Sequence, residues 1–100
     1  VLDRTAAGPE ELVEAVRLHD PVSGRTLRLS TMEPGVQVYA GGYLDGSLVG
    51  PSGRRYRQGD GIALEPQRFP DAVHHPHFPS VVLRPGEVYR QRSAFALGVD

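Results

Sequence analysis

The chain has 100 residues, of which 39% are hydrophobic and 7% aromatic, with a formal net charge of −1 and a pI near 6.5. That size allows one small domain or a piece of a larger one. The near-neutral balance removes the electrostatic case for a nucleic-acid or anionic-membrane partner, and the absence of cysteine excludes a disulfide framework and a thiolate metal site.

In chain order, Leu12 to His19 mixes Val, Ala and Leu with charge and alternates from Val16 to Leu18. A helix over residues 9–19 competes, because Pro9-Glu10-Glu11-Leu12 resembles a helix start. A strand is favoured by the turn cluster Asp20-Pro21-Val22-Ser23-Gly24 and by the clean alternation of Arg25 to Met32, which together predict an antiparallel hairpin. Glu33-Pro34-Gly35 is a second turn, with Glu33 read as a turn residue. Val36 to Tyr39 is a third strand, with Val36 and Val38 on one face and Gln37 and Tyr39 on the other.

The Gly-rich stretch from Gly41 to Gly61, holding Arg54, Arg55, Tyr56 and Arg57, reads as a long exposed loop. A short apolar strand follows and ends in Leu64-Glu65-Pro66-Gln67. With a strand period of two, Ala63, Glu65 and Gln67 share one face and Ile62 and Leu64 take the other, so that small Ala63 leaves room beside the carboxylate. Prolines at 66, 70, 76 and 79 argue against regular structure over residues 66–80. Val81 to Leu83 reads as a short strand, Arg84-Pro85-Gly86-Glu87 as a turn, and Val88 to Val99 as a last long strand. Short strands punctuated by Gly/Pro turns indicate an all-β, antiparallel sandwich or barrel.

Chemistry-bearing residues are sparse. Imidazoles are common zinc ligands, but His74 and His75 would point oppositely in an extended chain and Pro76 stiffens the link to His77, so a loop of partly exposed histidines is preferred to a metal site. Asp71 is expected to bond local backbone N–H groups, as in an Asx turn. The Arg54, Arg55 and Arg57 cluster reads as a solvated face. No Ser-His-Asp arrangement, phosphate-cradling loop or nucleotide fingerprint is present.

Several segments, taken together and in order, resemble the C-terminal part of the aldose 1-epimerase (galactose mutarotase) family. They are Asp20-Pro21-Val22-Ser23-Gly24-Arg25, Thr31-Met32-Glu33-Pro34-Gly35-Val36-Gln37-Val38-Tyr39 and Leu64-Glu65-Pro66-Gln67-Arg68-Phe69-Pro70-Asp71-Ala72. Phe78-Pro79 and Leu83-Arg84-Pro85-Gly86-Glu87-Val88-Tyr89 are also similar, and Val1-Leu2-Asp3 resembles the end of the family's Asp-His-x-Phe-Val-Leu segment. The resemblance covers essentially the whole chain.

It implies a galactose mutarotase-like β-sandwich of which residues 1–100 are the C-terminal segment, with Glu65 as catalytic base and Gln37 as a sugar contact. The implied reaction interconverts the α and β anomers of an aldohexose such as galactose or glucose by acid–base ring opening and closure, with no metal and no organic cofactor. The expected partners are the aldohexose and the remaining N-terminal portion of the same sandwich. In the family the acid is a His; another His, an Arg and the Asp of the Asp-His-x-Phe segment also come from sequence before Val1. His74, His75 and His77 do not align with those histidines, and His74 stands where the family commonly has Asn.

Two alternatives accompany this reading. One is a non-catalytic carbohydrate-binding module; the other is an epimerase-like protein acting on a phosphorylated or otherwise modified sugar. No apolar run reaches the ~20 residues needed to span a bilayer. A cytoplasmic location is expected, with a targeting segment before Val1 left open because the chain starts at Val rather than Met.

Overall fold

In the computed structural model, which describes residues 1–5 and 7–100, the chain is all-β and antiparallel. The strands are β1 (Val13–His19), β2 (Arg25–Thr31), β3 (Gly35–Tyr39), β4 (Asp45–Val49), β5 (Arg55–Arg57), β6 (Ala63–Gln67) and β7 (Ser93–Val99), with one 3₁₀ turn at Ala72–His74. They form a three-stranded sheet in the order β1-β2-β7 and two ribbons, β3-β6 and β4-β5.

The competing helix over residues 9–19 does not form; β1 pairs with β2 as the alternation indicates. Asp20 closes the turn between them. Its carboxylate accepts the Val22 N–H at 3.0 Å and the Ser23 hydroxyl at 2.5 Å, and its carbonyl accepts the Gly24 N–H at 2.8 Å. Hydrogen bonding, first from the Ser23 side chain and then from the Val22 backbone, holds the Asp20 carboxyl below its ordinary range. Gly24 has φ 71°, and a Cβ there would meet the Asp100 carbonyl oxygen at 2.6 Å, so only glycine fits.

A bulge between Glu14 and Val16 shifts the β1 register, after which Leu18, Leu27 and Leu97 form one cross-strand row and Val16, Leu29 and Phe95 the next. Leu29, in the central strand, is fully buried, whereas Phe95 and Leu97 on the flanking strand are 54% and 79% exposed. The radius of gyration is 16.9 Å, above the roughly 13 Å of a compact domain of this length. The sheet has a core only at its centre, and its apolar face runs out into the open at β7.

Four expectations are corrected. The stretch from Gly41 to Gly61 is not one loop: β4 and β5 pair within it, through Asp45 with Arg57 and Val49 with Arg55. Pro66 lies inside β6, and a 3₁₀ turn occupies Ala72–His74, so the prolines do not clear residues 66–80 of regular structure. Val81 to Leu83 forms no strand, and the last strand starts at Ser93 rather than Val88. Strand-forming side chains without a partner ladder do not make a strand.

Candidate active site

The site is built on the β3-β6 ribbon. Its ladder runs Gly35 to Gln67, Val36 to Pro66, Gln37 to Glu65, Val38 to Leu64 and Tyr39 to Ala63, with no slip. Gln37 and Glu65, thirty positions apart in the chain, are therefore directly opposite one another. Residues so paired share a face with Cβ atoms about 5 Å apart, which brings an amide and a carboxylate within one small molecule's reach. Both side chains are exposed. Tyr39 and Ala63 lie on one side of the pair along this face, Gly35 and Gln67 on the other. Neither Ala63 nor Gly35 carries a side chain large enough to cover it.

The Gly35 end of the ribbon is closed by aromatic packing. A Cβ on Gly35 would meet the Phe69 ring at 3.0 Å. Phe69 in turn packs edge-on against Phe78, with centroids 5.0 Å apart. A concavity of about 160 Å³ opens beside Gly35, Gln37, Gln67 and Phe69. Val1 also lines it, because the Leu2 N–H donates to the Pro34 carbonyl at 3.0 Å and lays the start of the chain alongside β3.

Glu33 is not an exposed turn residue. It is 3% exposed, accepts a hydrogen bond from the Tyr89 hydroxyl, and faces Arg68 with Nε 3.3 Å from its Oε2. These two atoms carry opposite charge but make no hydrogen bond to each other or to any other group. Arg68 also donates to the Ser80 carbonyl at 3.2 Å. The hydrogen bond to Glu33, then burial and the Glu33 charge, push the Tyr89 phenol above its ordinary value, with Arg68 opposing. A buried acid before a Pro-Gly turn carries no local signal, because its partners lie 35 and 56 positions away.

Asp71 also departs from expectation. It takes φ 59° and opens the 3₁₀ turn without capping it; its carboxylate instead meets His74 Nδ1 at 2.5 Å and His75 Nε2 at 3.3 Å. A tight turn, unlike an extended chain, brings positions three and four residues on back to the same place, so both rings reach one acid. His77 packs edge-on against Phe78 with centroids 4.5 Å apart. Among the described residues, no three His, Cys, Asp or Glu side chains group in a way that could hold a metal ion. In the β4-β5 ribbon, Arg55 donates to the Gly46 carbonyl at 2.9 Å and Arg57 pairs with Asp60 at 3.5 Å, so two of the three clustered arginines have partners within the ribbon.

The sequence profile of the aldose 1-epimerase family matches residues 1–96, a span that includes both ribbons and most of the three-stranded sheet. This chain belongs to the aldose 1-epimerase family. Among curated relatives it is 47% identical to galactose mutarotase of Bos taurus and 46% identical to that of Homo sapiens, in each case over 92% of this chain and 27% of the relative. It is 39% identical to aldose 1-epimerase of Escherichia coli (strain K12) over 63% of this chain and 18% of that protein. The chain thus spans about a quarter of the length of the mammalian relatives. Among the described residues, no helix is long and apolar enough to cross a membrane.

Proposed function

We propose that this chain is the C-terminal segment of a single β-sandwich domain with mutarotase-type isomerase activity, Glu65 serving as general base and Gln37 as a ligand of the sugar. The observation that carries this reading is the direct opposition of Gln37 and Glu65 in an unbroken ladder. A pyranose laid on this face meets a carboxylate acceptor and, beside it, an amide that both donates and accepts.

In the proposed reaction the Glu65 carboxylate takes the proton of the C1 hydroxyl as an acid protonates the ring oxygen. The bond from C1 to the ring oxygen breaks, leaving a C1 aldehyde and a free hydroxyl. Rotation about C1–C2 exposes the other carbonyl face, and the reverse proton transfers close the ring as the opposite anomer. Atoms and charge balance, and each proton-transfer partner has to stand within hydrogen-bond reach of its oxygen. The acid comes from the remainder of the sandwich. The Leu2-to-Pro34 bond supports that arrangement, since it brings the start of the chain beside Gln37. The open apolar face at Phe95 and Leu97 supports further strands covering this segment. The names of the relatives make galactose the first hexose to try.

Polarimetry of freshly dissolved α-galactose tests the assignment. In the full-length protein, Glu65→Gln should lower kcat by ~10²–10⁴-fold, the usual contribution of a general base; wild-type turnover would remove Glu65 from the role. Residues 1–100 alone should equilibrate the anomers no faster than buffer, and mutarotation well above that rate would show the acid to lie within the segment.

A further inference from the structure

We propose that Arg68 and Glu33 are positioning residues for this site, an ion pair that holds the β3-β6 ladder in the one register that sets Glu65 opposite Gln37. The proposal rests on the reading of Glu65 as the base. A one-residue slip in an antiparallel pair turns every side chain of one strand to the other face. Here such a slip would carry Glu65 away from Gln37 altogether. Two-stranded ribbons are marginal by themselves, and among the described residues β3 and β6 have only each other as ladder partners. Side-chain contacts that tie the ends of β3 and β6 together therefore bear directly on the register.

Arg68 and Glu33 are placed to do this. Arg68 is the first residue beyond β6, three positions from Glu65, and Glu33 lies two positions before β3, four from Gln37. Their contact at 3.3 Å therefore closes the ribbon just past its last pair, Gly35 with Gln67. A slip by one residue moves one strand about 3.4 Å past the other, enough to pull Nε off the carboxylate.

The Glu33 end is itself anchored to the three-stranded sheet. Its N–H donates to Thr31 Oγ1 at 3.1 Å, and that hydroxyl is 2.9 Å from the Ser93 hydroxyl across the β2-β7 ladder. Tyr89, on the approach to β7, donates to Glu33 Oε1. The larger sheet is thereby the reference against which the ribbon is aligned. Because Glu33 Oε2 and Arg68 Nε have no other partner, a shifted register would leave a buried carboxylate oxygen facing no charge, which makes the alternative costly.

The test uses full-length protein carrying Arg68→Met, Arg68→Lys or Glu33→Gln, with Glu65→Gln beside them, and measures kcat, KM and the folded fraction by circular dichroism. Loss of the clamp should lower kcat per folded molecule by up to ~10²-fold, the scale of an ångström-sized misplacement, with KM changing less. Arg68→Lys, which keeps the charge, should recover part of the loss. Wild-type kcat per folded molecule in Arg68→Met and Glu33→Gln would overturn the proposal and reduce the pair to a stabilising contact. If Arg68→Met does not fold, Glu33→Gln decides, since its amide oxygen still accepts from Tyr89. An active Glu65→Gln would instead sink the reading of the base, a result distinct from either outcome for the clamp.

Discussion

The β3-β6 and β4-β5 ribbons are both two-stranded and antiparallel, and the second is inserted in the chain between the two strands of the first, yet they are held differently. The first has five consecutive pairs and is closed at one end by Phe69, Arg68, Glu33 and Tyr89, drawn from three parts of the sequence. The second pairs only Asp45 with Arg57 and Val49 with Arg55 around an irregular middle, and its side-chain bonds, Arg55 to Gly46 and Arg57 to Asp60, stay within its own loop. Long-range contacts that remove alternative registers gather on the ribbon that carries an amide opposite a carboxylate. The ribbon without such a pair is left with local contacts.

The strongest way to break this contrast is to shift both ribbons alike. Inserting one Ala between Leu64 and Glu65 in the full-length protein should turn Glu65 to the other face and lower kcat by ~10²–10⁴-fold, as loss of the base would. The same insertion between Ser47 and Leu48 should leave kcat within about twofold, as surface loops tolerate added residues. Equal losses in polarimetry would show that both ribbons need a fixed register.

A second measurement separates the supporting sheet from the ribbon it aligns. Leu29→Ala removes the fully buried side chain at the centre of the three-stranded sheet and should cost about 2–5 kcal/mol in urea unfolding, while molecules that remain folded keep their kcat. A fall in kcat per folded molecule would mean that the sheet's interior, and not only the strand ends at Thr31 and Ser93, sets the ribbon's alignment.

The smallest effect concerns pH. The Tyr89 phenol stands above its ordinary value of 10.0 because its proton is bound to Glu33. A group whose value rises on folding stabilises the fold fully below the unfolded value and loses that contribution as pH climbs through the folded one. The stability difference between wild type and Tyr89→Phe should thus be level from pH 6 to 9 and shrink above about pH 10. A level difference through pH 11 would mean that the hydroxyl does not titrate against Glu33.

Much of the β3-β6 ribbon was legible in the sequence, because strand phase depends on neighbours two residues apart. Val36 and Val38 against Gln37, and Leu64 against Glu65, fixed the faces, and family-like motifs pointed to the same two polar residues. Pairing was not legible. Nothing local distinguishes Val81 to Leu83, which has no ladder, from Asp45 to Val49, which has one. Burial of Glu33 was equally hidden, being decided by Arg68 and Tyr89 after the chain has folded back. The directions of the histidine side chains were hidden for a related reason: an extended chain would point His74 and His75 apart, whereas a 3₁₀ turn gathers both onto Asp71.

Pro66 lies between Glu65 and Gln67, inside the strand that presents the proposed base. A proline ring holds its own φ near −65° and steers the preceding residue towards extended backbone. The preceding residue is Glu65. Its backbone is therefore biased towards the strand conformation even in the unfolded ensemble, and less conformational freedom is lost when β6 forms. The carboxylate begins to be aimed by a restriction in the covalent chain, before any partner strand has arrived.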